Sequence, residues 1–134
     1  MASVMMLQRI WVVIGWALIF LVIYLSLAHE SPSTLTFENL DKIKHLAAYA
    51  MLSFWLCQVY PSRRARLLVI VALLALGVAL EYVQGWTGYR TFDVLDMQAD
   101  GVGVLAGWLL VLTPLGRMLA GIERRVGVLY RHPE

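Results

Sequence analysis

The chain has 134 residues, of which 60% are apolar and 15% charged, and its net charge is +2. Soluble domains run nearer ~45–50% apolar and ~25% charged, so this composition argues against a water-soluble fold and for the membrane class. The length leaves room for one domain.

Four stretches approach the roughly 17–25 residues needed to cross a bilayer. They predict an all-α integral membrane four-helix bundle, a single domain over 1–134, with spans at about 10–28, 43–60, 67–84 and 92–113. The first has an apolar core longer than the roughly 7–15 residues of a signal peptide, so it is expected to stay as a retained span. Ser31-Pro32-Ser33 punctuates the loop after it. The second span is the least apolar, because it opens with Lys44 and His45 and ends near Gln58. Cys57 lies deep within it and reads as a small packing residue. Pro61-Ser62 should stop this helix and make spans two and three an antiparallel hairpin. Gly85, Trp86, Gly88 and Tyr89 form an aromatic-rich loop suited to a membrane interface. Pro114 and Gly116 end the fourth span, and 117–134 read as a basic cytoplasmic tail, a short segment lying along the interface.

Eight of the eleven Lys and Arg residues fall on one side of this four-span arrangement: Arg9, Arg63, Arg64, Arg66, Arg117, Arg124, Arg125 and Arg131. The positive-inside rule makes that side, and both termini, cytoplasmic. The positive charge is thus a topological signal, and no nucleic acid is expected as a partner. Seven of the nine acids lie in two segments, His29 to His45 and Leu80 to Asp100, both on the opposite, outer side.

Ionisable groups close to hydrocarbon cost roughly 2.5–3.5 kcal/mol each at mid-bilayer, so they tend to mark a site. Asp41, His45 and Tyr49 are spaced by four and share one stripe of the second helix, with Lys42 bordering it. Lys44 reads as a snorkelling side chain. Glu81 and Gln84 close the third helix on one face. A carboxylate near a helix C-terminus opposes the dipole, so Glu81 needs compensation from Lys42, Arg90, a metal or a raised pKa. With a fourth helix starting near Thr91, Asp93, Asp96, Asp100, Gly103 and Gly107 form a single stripe, acidic above and glycine-lined below. The glycines let helix backbones approach closely.

Taken in order, D-K-x-x-H-x-x-x-Y (Asp41, Lys42, His45, Tyr49), E-x-x-Q (Glu81, Gln84) and R-x-x-D-x-x-D (Arg90, Asp93, Asp96) resemble the VanZ-like family over roughly Asp41 to Gly107. The chain departs from that pattern at Asp100, where the family usually has Asn. The resemblance implies a bacterial membrane protein, with a name-giving member tied to glycopeptide (teicoplanin) resistance. It implies no settled biochemical activity.

Three readings compete. The first is a site that binds or processes an anionic envelope lipid or head group at the extracytoplasmic face of the bacterial inner membrane. Here His45, Asp41 and Glu81 are the catalytic candidates, Lys42 and Arg90 hold the anion, and Tyr49 and Gln84 support. Asp93, Asp96 and Asp100, with Glu81 nearby, are the candidate ligands of a divalent cation, Mg or Ca. The second is a non-enzymatic scaffold whose polar cluster fixes helix register, alone or with a second copy or another membrane protein. The third is a proton or ion path. The shared-site reading expects His45, Glu81, Arg90 and Asp96 to lie together beneath the outer surface, and membrane lipids are expected as partners.

Overall fold

The computed structural model describes residues 2–28 and 40–129. Glu30, Glu38, the Ser31-Pro32-Ser33 punctuation and Arg131 lie outside the described residues. The described chain is helical: α1 (Ala2–Leu27), α2 (Leu40–Val59), α3 (Arg63–Thr87), α4 (Val94–Val111), a 3₁₀ turn (Pro114–Arg117) and α5 (Met118–Leu129). Three segments are long and apolar enough to cross a membrane: Met5–Leu27, Arg63–Thr87 and Val94–Val111. The 20-residue α2 opens with Asp41, Lys42, Lys44 and His45 and is not among them.

Local chemistry sets the helix ends. Pro61 follows α2, and Ser62 caps α3, its hydroxyl accepting the Ala65 N–H at 3.2 Å, which satisfies an amide at the helix start. Across the same corner, Arg66 Nε donates to the Cys57 carbonyl at 3.0 Å. The third helix runs three residues past the expected stop at 84, and this is a correction. Gly85 is not its terminator but a contact residue, where a Cβ would come within 3.2 Å of the Phe92 side chain. The stop is Gly88, with φ of 75°, the left-handed conformation glycine adopts without steric cost. The fourth helix starts at Val94 rather than near Thr91 or 92, because Asp93 is its N-cap, its Oδ1 accepting the Leu95 N–H at 2.8 Å.

α2 packs against α1, α3 and α4, and α5 rests on α1. α2 and α4 run parallel: Lys42 meets Asp93, His45 meets Asp100, and the Ser53 hydroxyl donates to the Val104 carbonyl at 2.8 Å. α3 runs antiparallel to α4, with Glu81 beside Asp93 and Gly77 beside Asp100. The close approach of α2 and α4 depends on two glycines. A Cβ on Gly103 would fall on the Leu46 carbonyl, and one on Gly107 would fall on the Ala50 carbonyl and 2.8 Å from the Phe54 nitrogen.

The apolar core is Val22, Tyr49, Leu52, Leu56, Leu73 and Val104. Cys57 is fully buried beside it. Outside, Trp16, Phe20, Leu68, Val71, Val102 and Leu109 are all more than half exposed. A soluble monomer rarely carries such an apolar girdle; hydrocarbon is its natural solvent. At the arginine-rich end, Trp55 Nε1 donates to the Trp11 carbonyl at 3.1 Å, and the Leu119 N–H reaches Gln58 Oε1 at 3.4 Å. The segment after the fourth helix is therefore a docked helix over Met118–Leu129.

Candidate functional site

The opposite end of the helices gathers the charge. The first turns of α2 and α4 lie side by side, so the Asp41–Tyr49 stripe faces the Asp96–Asp100 stripe. Lys42 Nζ sits 3.0 Å from Asp93 Oδ2 and 3.6 Å from Asp96 Oδ1. One turn deeper, His45 Nδ1 is 2.9 Å from Asp100 Oδ1, and its Nε2 is 4.0 Å from Asp96 Oδ2. An ionised Asp100 accepts this bond from Nδ1–H. Room for buried Asp100 comes from α3: a Cβ on Gly77 would stand 2.8 Å from Asp100 Oδ2.

From α3, Glu81 Oε1 accepts the backbone N–H of Asp93. Gln84 Nε2 donates to the Ser26 carbonyl at 2.8 Å, and the Tyr89 hydroxyl donates to the Leu27 carbonyl at 2.6 Å. These two bonds hold the end of α1 against the site. Outside the helices, Asp93 has its carboxyl held below the ordinary aspartate value of 3.8. The main cause is the Leu95 N–H, followed by the Lys42 ammonium.

Three buried oxygens here make no hydrogen bond among the described residues: the Tyr49 hydroxyl, Glu81 Oε2 and Asp96 Oδ1. Tyr49 and Glu81 are each only 1% exposed. Buried polar atoms are nearly always bonded, because leaving one unsatisfied costs about 1–3 kcal/mol. Of the three residues, Tyr49 also lines a cavity.

Next to Tyr49 lies a cavity of about 370 Å³, lined by Asp41, Lys44, His45, Ala48 and Tyr49 of α2, by Val22, Leu25, Ser26 and Ala28 at the end of α1, and by Arg90. Its lining is mixed: α2 and Arg90 bring charged and hydrogen-bonding groups, and α1 brings mostly hydrocarbon.

The structure brings the sequence candidates together but redistributes their partners. His45 bonds Asp100, not Asp41. Lys42, expected to hold an anion, is engaged by Asp93 and Asp96. Glu81 lies well inside α3, so the helix-end argument does not apply to it. Its partner is the Asp93 backbone amide, neither Lys42 nor Arg90. The expected ligand set of Asp93, Asp96 and Asp100 is split, since Asp93 faces Lys42 and Asp100 faces His45. Arg90 does line the cavity, Tyr49 closes its depth, and Gln84 braces α1. Sequence reasoning passed over Lys44 as a snorkelling residue. Its signal was present, because Asp41, Lys44, His45 and Ala48 recur at spacings of three and four and so share a face. The Gly77 notch carried no signal, because its purpose appears only once α4 is packed against it.

A family model described as VanZ/LLP1 matches residues 3–117. No curated protein and no solved structure matches the chain.

Proposed function

We propose that this chain, which belongs to the VanZ/LLP1 family, is a four-span bacterial inner-membrane protein that holds an anionic lipid head group at its extracytoplasmic end. In this reading α2 is the fourth crossing. Its charged turn is shielded from lipid by the carboxylates of α4 and by α1, which is how an ionisable stripe is tolerated at membrane depth. The arginine-rich end, with Arg63, Arg64, Arg117, Arg124 and Arg125, lies in the cytoplasm by the positive-inside rule.

The observation that carries the proposal is the mixed lining of the cavity. A lipid has a charged head joined to hydrocarbon, and Lys44 and Arg90 line a single cavity together with Val22, Leu25 and Ala48. The guanidinium fork suits phosphate oxygens, and Tyr49 and His45 line the same cavity. Head-group processing would use the same geometry, with His45 oriented by Asp100 as the acid–base group. The scaffold reading is favoured by one observation, that Lys42–Asp93 and His45–Asp100 both tie α2 to α4.

Native mass spectrometry of the detergent-solubilised protein, titrated with phosphatidylglycerol or phosphatidylcholine, separates these readings. A head-group site retains the anionic lipid preferentially, and Lys44→Ala combined with Arg90→Ala weakens that retention about tenfold or more. Tenfold is about 1.4 kcal/mol, close to the lower end of the roughly 1.5–3 kcal/mol of one hydrogen bond to a charged group. Equal retention of both lipids, unchanged in the variant, overturns the proposal. In a Cys57→Ala background, a cysteine at Trp86 labelled only from the cytoplasm would invert the topology.

A further inference from the structure

We infer that Asp41, His45 and Asp96 form a site for a single divalent cation of the zinc or manganese class. One potential ligand atom from each of the three lies within 4.8 Å of the other two. Metal–ligand bonds of roughly 2.0–2.2 Å place ligand atoms about 3–4 Å apart, so small side-chain rotations complete the set. The 4.0 Å between His45 Nε2 and Asp96 Oδ2 is too long for a hydrogen bond, but it suits two ligands on opposite sides of one ion.

Two independent features point the same way. The first is the orientation of the histidine. Asp100 Oδ1 stands 2.9 Å from Nδ1, which turns the other ring nitrogen, Nε2, toward Asp96. A carboxylate behind a ligating imidazole is the usual means of fixing its tautomer and raising its basicity. The second is the burial of polar atoms with no bond to make. Asp96 is 6% exposed and its Oδ1 makes no hydrogen bond among the described residues, although Lys42 Nζ stands 3.6 Å from it. The Tyr49 hydroxyl, equally without a hydrogen bond, lines the same cavity as Asp41 and His45. That cavity gives an ion its open coordination positions, for water or for an anionic oxygen.

The donor set decides the metal class. Magnesium and calcium favour all-oxygen shells, whereas one imidazole with two carboxylates suits zinc, manganese or similar ions. Two aspartates and a neutral histidine also balance a dication. Relative to the sequence expectation, the ligands change from Asp93, Asp96 and Asp100 to a set containing nitrogen, and the favoured ion changes with them. The site shares Asp41 and His45 with the head-group cavity but needs no lipid, so metal titration tests it apart from lipid retention; with the ion bound, His45 is a ligand and not the acid–base group.

The test uses the full chain in detergent, stripped with a chelator and titrated with Zn²⁺, Mn²⁺, Mg²⁺ or Ca²⁺ alone. One equivalent of Zn²⁺ or Mn²⁺ should bind at micromolar or tighter affinity and raise the melting temperature, with Mg²⁺ and Ca²⁺ at least tenfold weaker. Asp41→Asn is the informative variant, because the Asp41 carboxylate makes no hydrogen bond among the described residues and its loss should leave the fold intact. It should weaken binding at least tenfold, while Glu123→Gln, at the far end of the molecule, should leave binding unchanged. Asp100→Asn should weaken it about 10–100-fold, the usual effect of losing the group behind a ligand. On the Mn²⁺ form, pulsed electron paramagnetic resonance should detect one imidazole nitrogen, lost in His45→Gln. The inference is overturned if the stripped protein binds no Zn²⁺ or Mn²⁺ below millimolar concentration, if Asp41→Asn binds as wild type, or if bound Mn²⁺ shows no nitrogen coupling.

Discussion

The same pair of helices, α2 and α4, is held together by opposite means at its two ends. At the acidic end, charged side chains bridge the gap: Lys42 to Asp93 and Asp96, and His45 to Asp100. Within the next turn the gap closes, because Gly103 and Gly107 let the α4 backbone lie against the carbonyls of Leu46 and Ala50. The deep half is a structural seam, since van der Waals contact at this range leaves no room for anything else. The charged half is bridged by side chains, and there Asp41, Lys44, His45 and Tyr49 of α2 line the cavity that the end of α1 and Arg90 complete. Charged pairs join the helices where the cavity lies; contact through glycines keeps them in register.

The most severe way to break this contrast is Gly107→Ala. The added methyl meets backbone at the deep seam, and overpacking of this kind costs about 1–3 kcal/mol. A clear drop in melting temperature in detergent is expected. Gly121→Ala is the counterpart, with nothing within 4 Å of its added Cβ. It should leave the melting temperature unchanged or raise it, as replacing a mid-helix glycine typically gains about 0.5–1 kcal/mol. Equal effects of the two would mean that α2 and α4 do not rely on glycine contact.

A smaller effect tests the charged half. Glu81→Leu removes the acceptor of the Asp93 N–H, a net loss of about 0.5–1.5 kcal/mol. Glu81→Gln keeps an oxygen at that position and should melt close to wild type. If Gln is as damaging as Leu, the negative charge of Glu81 matters to the fold, and the neutral bond to Asp93 is not its main role.

The smallest effect is a pH dependence. The Asp93 carboxyl is lowered from 3.8 by the Leu95 N–H and then by Lys42. A group with a depressed folded pKa adds stability above its unfolded value and loses it as pH falls through the folded value. The difference in melting temperature between wild type and Asp93→Asn should therefore be constant from neutral pH to about pH 5, and should shrink on acidification below about pH 4. A difference that grows on acidification would mean the cap and its lysine do not hold Asp93 ionised.

Much of this molecule was legible in its residues. Helices of the right length in the right order follow from apolar runs broken at Pro61 and Pro114. The stripe of Asp96, Asp100, Gly103 and Gly107 follows from spacings of three and four, and all four residues are buried in the structure. The less apolar character of α2 follows from Lys42, Lys44 and His45. Less legible were the ends of α3 and α4. Two glycines compete to stop α3, and only the packing of Phe92 on Gly85 decides for Gly88. An aspartate at position 93 can be a first-turn residue or a cap, and the backbone of Leu95 decides for the cap.

The sequence by itself determined that this is an apolar helical chain of the VanZ/LLP1 family, with its acids at one end and its arginines at the other. Those properties are set by composition and by periodicity along one strand of chain, where neighbours are fixed covalently. Pairing was decided only by the tertiary structure. His45 has Asp41 one turn away on its own helix, yet bonds Asp100 on α4. Lys42 is committed to two aspartates, and Lys44 lines the cavity in its place. The physical reason is that an ion pair or hydrogen bond depends on ångström separations between side chains on different helices. Here those separations are set by how closely Gly103 and Gly107 let two backbones approach, a distance that no spacing along a single helix encodes.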